Sequence, residues 1–139
     1  MTNFLRIESI WEDDDLFEVR VSASNGLFSA VSNCYTNRGD IAELANLIEG
    51  FPKRIGQEVY FSTGEGNDLS FFSLRFKCKD LAGHSILRVK IAHIISYANA
   101  EKEHYTSEFD LEIEAAAIDN FTRSVDLLSR SKLGEVQAT

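Results

Sequence analysis

The chain has 139 residues, a formal charge of −8, 44% hydrophobic and 11% aromatic residues, and a single proline. That length suits one domain burying roughly two thirds of the surface its unfolded form exposes, and the aromatic content excludes a disordered chain. The negative charge argues against generic nucleic-acid binding, which draws on Lys and Arg displacing phosphate counterions; no stretch approaches the roughly 20 apolar residues of a membrane helix or forms a secretion signal, so the expectation is a cytoplasmic protein, with no membrane or nucleic-acid partner.

Residues 4–10 predict a first strand, ending at Trp11 before Glu12, Asp13, Asp14 and Asp15, whose mutual repulsion belongs in a solvated turn. Residues 16–23 alternate Phe17, Val19 and Val21 with Glu18, Arg20 and Ser22, the pattern of a second strand. Ser24, Asn25 and Gly26 supply a hairpin turn, and residues 27–35 return as a third strand. The period then becomes helical over residues 40–51, with Ile41, Leu44, Ala45, Ile48 and Phe51 on one side. Thr36, Asn37 and Asp40 are the candidate caps, and Gly50 and Pro52 the stop. Four strands follow at 58–63, 69–80, 85–96 and 105–114, with turns at 64–68 and 80–84 and a looser connection over 97–104. Ile118, Phe121, Val125 and Leu128 then predict a second helix ending near Arg130. Strands in runs, interrupted by one helix and closed by another, make an α+β fold: about seven strands in mainly antiparallel sheet, with two helices, one after the third strand and one C-terminal. Residues 1–131 are expected to form one domain and 132–139 a flexible tail.

The sharpest pattern lies at 107–114, where Glu108, Asp110, Glu112 and Glu114 alternate with Phe109, Leu111 and Ile113. Arg75, Lys77 and Lys79, and then Arg88 and Lys90, alternate with apolar residues upstream. A cross-strand charge ladder follows, each pair contributing about 0.2–1 kcal/mol. Carboxylates about 7 Å apart along one strand face are also within range for paired acid–base work. Neighbouring Lys and Arg, however, lower a carboxylate pKa where hydrolysis needs one raised. His84, His93 and His104 lack the spacing of a helical metal pair. His93 shares parity with Leu87, Val89 and Ile91 and is expected on the dry face as a hydrogen-bonded core residue. Cys34 and Cys78 stand outside any metal or redox motif and read as buried thiols in a reducing compartment, with a bridge between them as the minor alternative. The GEGND run at 64–68 lacks the Lys, Ser or Thr and helix of a phosphate loop, and residues 12–15 lack the ligand pattern of an EF-hand. No catalytic, cofactor-binding or metal-ligating residue is assigned, and no cofactor is expected.

Three phrases in order carry a resemblance: a helix running into EGFP at residues 44–52, a basic strand with a cysteine and a DxxGH turn at 74–84, and an acidic strand leading into the last helix at 109–128. Together they resemble a family of small bacterial proteins that includes the immunity protein of the wall-associated toxin system. The resemblance implies a cytoplasmic, non-catalytic protein that neutralises the toxic C-terminal domain of a partner by binding it, and it supplies no binding residues. Charge alone nominates Glu12, Asp13, Asp14 and Asp15 in the turn and Glu108, Asp110 and Glu112 on the strand as contacts for a basic protein partner. Two other readings stay open. One is a small-ligand module with an apolar pocket between sheet and helices, drawing on Phe61, Phe71, Phe72 and Phe76; the other is an enzyme using the carboxylate face.

Overall fold

A computed structural model describes residues 3–14, 16–64, 69–80 and 82–130, and the backbone of 135–138. Three strands open the chain: β1 (Phe4–Glu12), β2 (Phe17–Ser24) and β3 (Ser29–Thr36). They pair as an antiparallel meander, β1 with β2 and β2 with β3. The β2–β3 turn closes because Asn25 Oδ1 accepts from the amides of Leu27 at 2.9 Å and Phe28 at 2.8 Å, while Gly26 takes a φ of +88°. Helix α1 (Arg38–Ile48) starts where Asn37 accepts from the Asp40 amide at 2.8 Å. It ends before Gly50, whose φ of +73° turns the chain away.

The second sheet is built from β4 (Glu58–Ser62), β5 (Phe71–Cys78), β6 (His84–Ser96) and β7 (Lys102–Glu114), antiparallel in that order. Helix α2 (Ala115–Arg130) follows β7 directly. The α+β class, the two helices and the seven expected strands are all present. The inward faces of both sheets and the apolar stripes of both helices meet in one core. At its centre Phe76 lies 6.0 Å from Phe51 and 6.5 Å from Phe121, ring centre to ring centre, so β5, the chain after α1, and α2 interlock there.

Three expectations change. First, Glu135–Ala138 form β8, paired antiparallel with β1, where a tail was expected; the pairing runs through backbone groups of β1's otherwise open edge, and four residues leave little pattern to read. Second, the connection over 97–104 is not loose. The β6–β7 ladder runs on to Ser96 and Lys102, and the turn closes with the Tyr97 amide on Glu101 O at 2.9 Å and Ala100 at φ +68°. Residues 102–106 are exposed, so no apolar alternation announced the strand. Third, His93 keeps the parity of Leu87, Val89 and Ile91 but is exposed, because the core stops before it. Its Nδ1 meets Ser32 Oγ of β3 at 3.1 Å. The glycine-containing turn expected at 64–68 lies outside the described residues apart from Gly64.

Candidate protein-binding face

The outer face of the first sheet sets exposed aromatic side chains beside acidic groups. Leu5 and Ile7 of β1 point inward and are fully buried. Simple alternation would continue this to Trp11. Instead the register slips between Ser9, opposite Val19, and Trp11, opposite Glu18. Ile10 is the additional residue of this β-bulge, and it reverses the faces beyond it. Trp11 is thereby turned out, 47% exposed. Glu18 is in turn opposite Tyr35 in β3, which is 56% exposed. A row Trp11–Glu18–Tyr35 crosses three strands, with half-buried Glu18 between the two aromatics. Asp13 and Asp14 stand exposed in the turn at one end. A crevice of about 350 Å³ opens beside Tyr35, lined by Glu18, Asn33, Leu69, His93 and Ile94 among others.

The same bulge changes the meaning of the acidic run. Glu12 falls opposite buried Phe17, and its carboxylate is bound by Arg38 Nη2 at 2.5 Å. That guanidinium also lies 5.4 Å over the Phe17 ring and donates through Nη1 to Ser129 O at 3.3 Å, at the C-terminal turn of α2. Asp13 accepts the Leu16 amide at 2.8 Å and so shapes the turn. Of the four carboxylates nominated here, Asp14 and Asp13 face water, Glu12 is engaged by Arg38, and Asp15 lies outside the described residues. With an arginine already among these oxygens, a calcium ion would meet a positive charge. Among the described residues no group of three or more His, Cys, Asp or Glu is arranged for a metal.

The strand carboxylates sit elsewhere, on the outer face of the second sheet. Asp110 takes both Arg88 Nε at 2.8 Å and Arg88 Nη2 at 3.2 Å, Glu112 lies 3.7 Å from Lys79 Nζ, and Glu108 faces Lys90 in register. Arg75 stacks over Tyr60 at 4.7 Å. Ladder rows such as Tyr60–Arg75–Arg88–Asp110 therefore place cations along the middle of the sheet and carboxylates at the β7 edge. These carboxylates are charge partners for their neighbours. The structure does not bring them together with the loop acids.

The DxxGH turn closes upon itself. Asp80 Oδ1 accepts the Ala82 amide at 2.8 Å, Asp80 Oδ2 meets His84 Nδ1 at 3.0 Å, and Gly83 at φ +97° offers its carbonyl to the Ala115 amide at 2.9 Å. A cleft of about 430 Å³ lies beside it, lined by Asn3, Lys79, His84, Ser85 and the carboxylates Glu112 and Glu114. An acid, an imidazole and a serine are thus close in sequence, but His84 and Ser85 are consecutive strand residues and project to opposite faces. His84 is exposed and Ser85 is 1% exposed, so the hydroxyl is turned into the core, away from the imidazole. Burial also pushes the Cys34 thiol up to about 11, so it stays protonated at neutral pH. Of the four phenylalanines expected around an apolar pocket, Phe61, Phe72 and Phe76 belong to the packed core, while Phe71 lies outside it, 5.7 Å from Lys90 Nζ.

Comparison with protein-family models, curated proteins and solved structures found no match to the chain. No helix among the described residues is long and apolar enough to cross a membrane. The fold and face together describe an α+β two-sheet protein with an open aromatic and acidic surface.

Trp11, Glu18 and Tyr35 were not singled out by charge or motif. The Glu18–Tyr35 pairing follows from the β2–β3 hairpin register once the turn at Asn25 is fixed. The bulge at Ile10 has no glycine or proline to signal it.

Proposed function

We propose that the protein is a non-catalytic protein-binding protein of the immunity kind, which neutralises a bacterial toxin domain by docking it on the Trp11–Glu18–Tyr35 face. The observation that carries this reading is the bulge that turns Trp11 outward into a row with Glu18 and Tyr35. Exposing a tryptophan that alternation would have buried forgoes its hydrophobic stabilisation, and Trp and Tyr are the side chains that most often anchor interfaces. Glu18, flanked by rings that partly exclude water, is placed to receive a cationic side chain of the partner. The crevice beside Tyr35 gives such an anchor a pocket to fill. Exposed Asp13 and Asp14 and the overall charge of −8 steer a basic partner to the same end of the sheet. A cytoplasmic setting belongs to this role. The resemblance in the phrases at 44–52, 74–84 and 109–128 points the same way.

Association kinetics with the C-terminal domain of the protein encoded immediately upstream of the gene test the assignment. Trp11→Ala should speed dissociation by about 30-fold or more, the effect of losing an anchor of about 2 kcal/mol. Replacing Asp13 and Asp14 by Asn should chiefly slow association and flatten its salt dependence. Unchanged kinetics in both variants would reject this face as the interface.

A further inference from the structure

The second sheet ends in a strand whose two halves are treated differently. Among the described residues β7 pairs on one side only, with β6. On its other side Asn25 Nδ2 donates to Asp110 O at 3.1 Å and Asn3 Nδ2 donates to Glu112 O at 3.2 Å, so the proximal half of the edge is capped by side-chain amides. These two contacts also fix the backbone phase: the even-numbered residues of β7 turn their N–H and C=O groups outward, away from β6. By that alternation Lys102, His104, Thr106 and Glu108 present the distal edge. The β3 edge is crossed by the other sheet at Ser32–His93 and Cys34–Thr63, and β4 and β8 are short, with five and four residues.

We propose that this distal edge of β7 pairs with the same edge of a second copy of the chain, antiparallel about Tyr105, joining two four-stranded sheets into one. Register and charge both favour this pairing. Centring the pair on Tyr105 sets His104 opposite Thr106 and Lys102 opposite Glu108 of the second copy. All four have outward backbone groups, as a hydrogen-bonded antiparallel pair requires. The Lys–Glu pair occurs twice by symmetry, so the charges that would blunt this edge toward a stranger are complementary toward itself. The register also uses the whole uncapped length and stops where Asn25 occupies the lane beside Asp110. There the second copy's turn, with Tyr97 and Ala100, arrives next to Leu27 and Phe28, which are 76% and 62% exposed in the single chain. Two chains of charge −8 repel at long range. At physiological ionic strength, with a screening length of about 8 Å, that repulsion is damped while the strand-to-strand pairs are not. A strand pair with these few apolar contacts falls short of the roughly 800 Å² per partner of a standard interface, so the dimer is a weak, reversible one.

Sedimentation equilibrium of the whole chain over a concentration range reaching the millimolar tests this. The expected result is a monomer–dimer equilibrium. Thr106→Pro removes one outward N–H and no bond to β6, so it should abolish the dimer with an unchanged circular dichroism spectrum. Lys102→Glu and Glu108→Lys should each weaken dimerisation by about tenfold, and the double exchange K102E/E108K should restore it. In the unmodified chain, amide exchange at His104 and Thr106 should slow as concentration rises, a readout independent of any variant. A monomer at every concentration, a dimer indifferent to Thr106→Pro, or a double exchange that fails to restore pairing would overturn the proposal.

Discussion

Arg38 shows how much one side chain can fasten. It leaves the first turn of α1 and reaches Glu12 in β1, the Phe17 ring in β2 and the last carbonyls of α2. Replacing it by Met keeps much of the stem packing but strands a half-buried carboxylate and two carbonyl contacts. Arg38→Met should therefore lower stability by about 2 kcal/mol in urea denaturation, in the range of hydrogen bonds to charged groups. Because the same guanidinium already neutralises Glu12, added calcium should leave the melting temperature unchanged; a marked rise would contradict this account of the acidic turn. At the other end of the molecule, the hydrogen bond with Asp80 raises the His84 pKa above 6.5, and the same bond lowers Asp80 below 3.8. The His84 contribution is full below its unfolded pKa and is lost as pH rises through the raised value. The Asp80 contribution is full above its unfolded pKa and is lost as pH falls through the lowered value. The turn is thus held most firmly at mildly acidic pH, between the two ordinary values. Asp80→Asn should drop the His84 midpoint in an NMR titration toward that of a free imidazole.

At the scale of elements, helix α1 depends on its first turn. Asn37 accepts the Asp40 amide at 2.8 Å, and Asn37→Ala should cost about 1 kcal/mol in thermal or urea unfolding without altering the sheets. Elements of this kind could be read directly from residue order. Asn37 and Gly50 bracket a 3.6-residue period, Asn25–Gly26 marks a hairpin, and the alternating charges of β5, β6 and β7 foretell their pairing. What escaped was whatever does not depend on apolar period. The slip at Ile10 reverses the face of Trp11 and Glu12 without any special residue. The distal hairpin is held by backbone bonds to a stretch of β7 whose side chains are exposed, and β8 by pairing to β1. His93 shows that parity gives the face of a strand but not where the core beneath it ends. The candidate site was hidden for the same reason, since its acidic turn could be seen in composition while its aromatic row needed both the bulge and two strand registers.

At the scale of the whole molecule, both sheets and both helices share a single apolar core. Unfolding should therefore be one cooperative transition, and Phe121→Ala, at a fully buried site, should lower it by about 3–5 kcal/mol with fluorescence and circular dichroism still coinciding. The charge of the whole is equally one-sided, but unevenly placed: cations hold the middle of the second sheet, and the exposed carboxylates of Asp13 and Asp14 stand beside the aromatic row. At this scale stands the proposal that this face captures a basic toxin domain. A calorimetric titration of the protein with the C-terminal domain of the protein encoded immediately upstream of its gene, at low and at high salt, tests it most directly. The account predicts a one-to-one complex that suppresses toxicity and binds markedly more weakly at high salt; the absence of heat and of neutralisation at either salt concentration would contradict it.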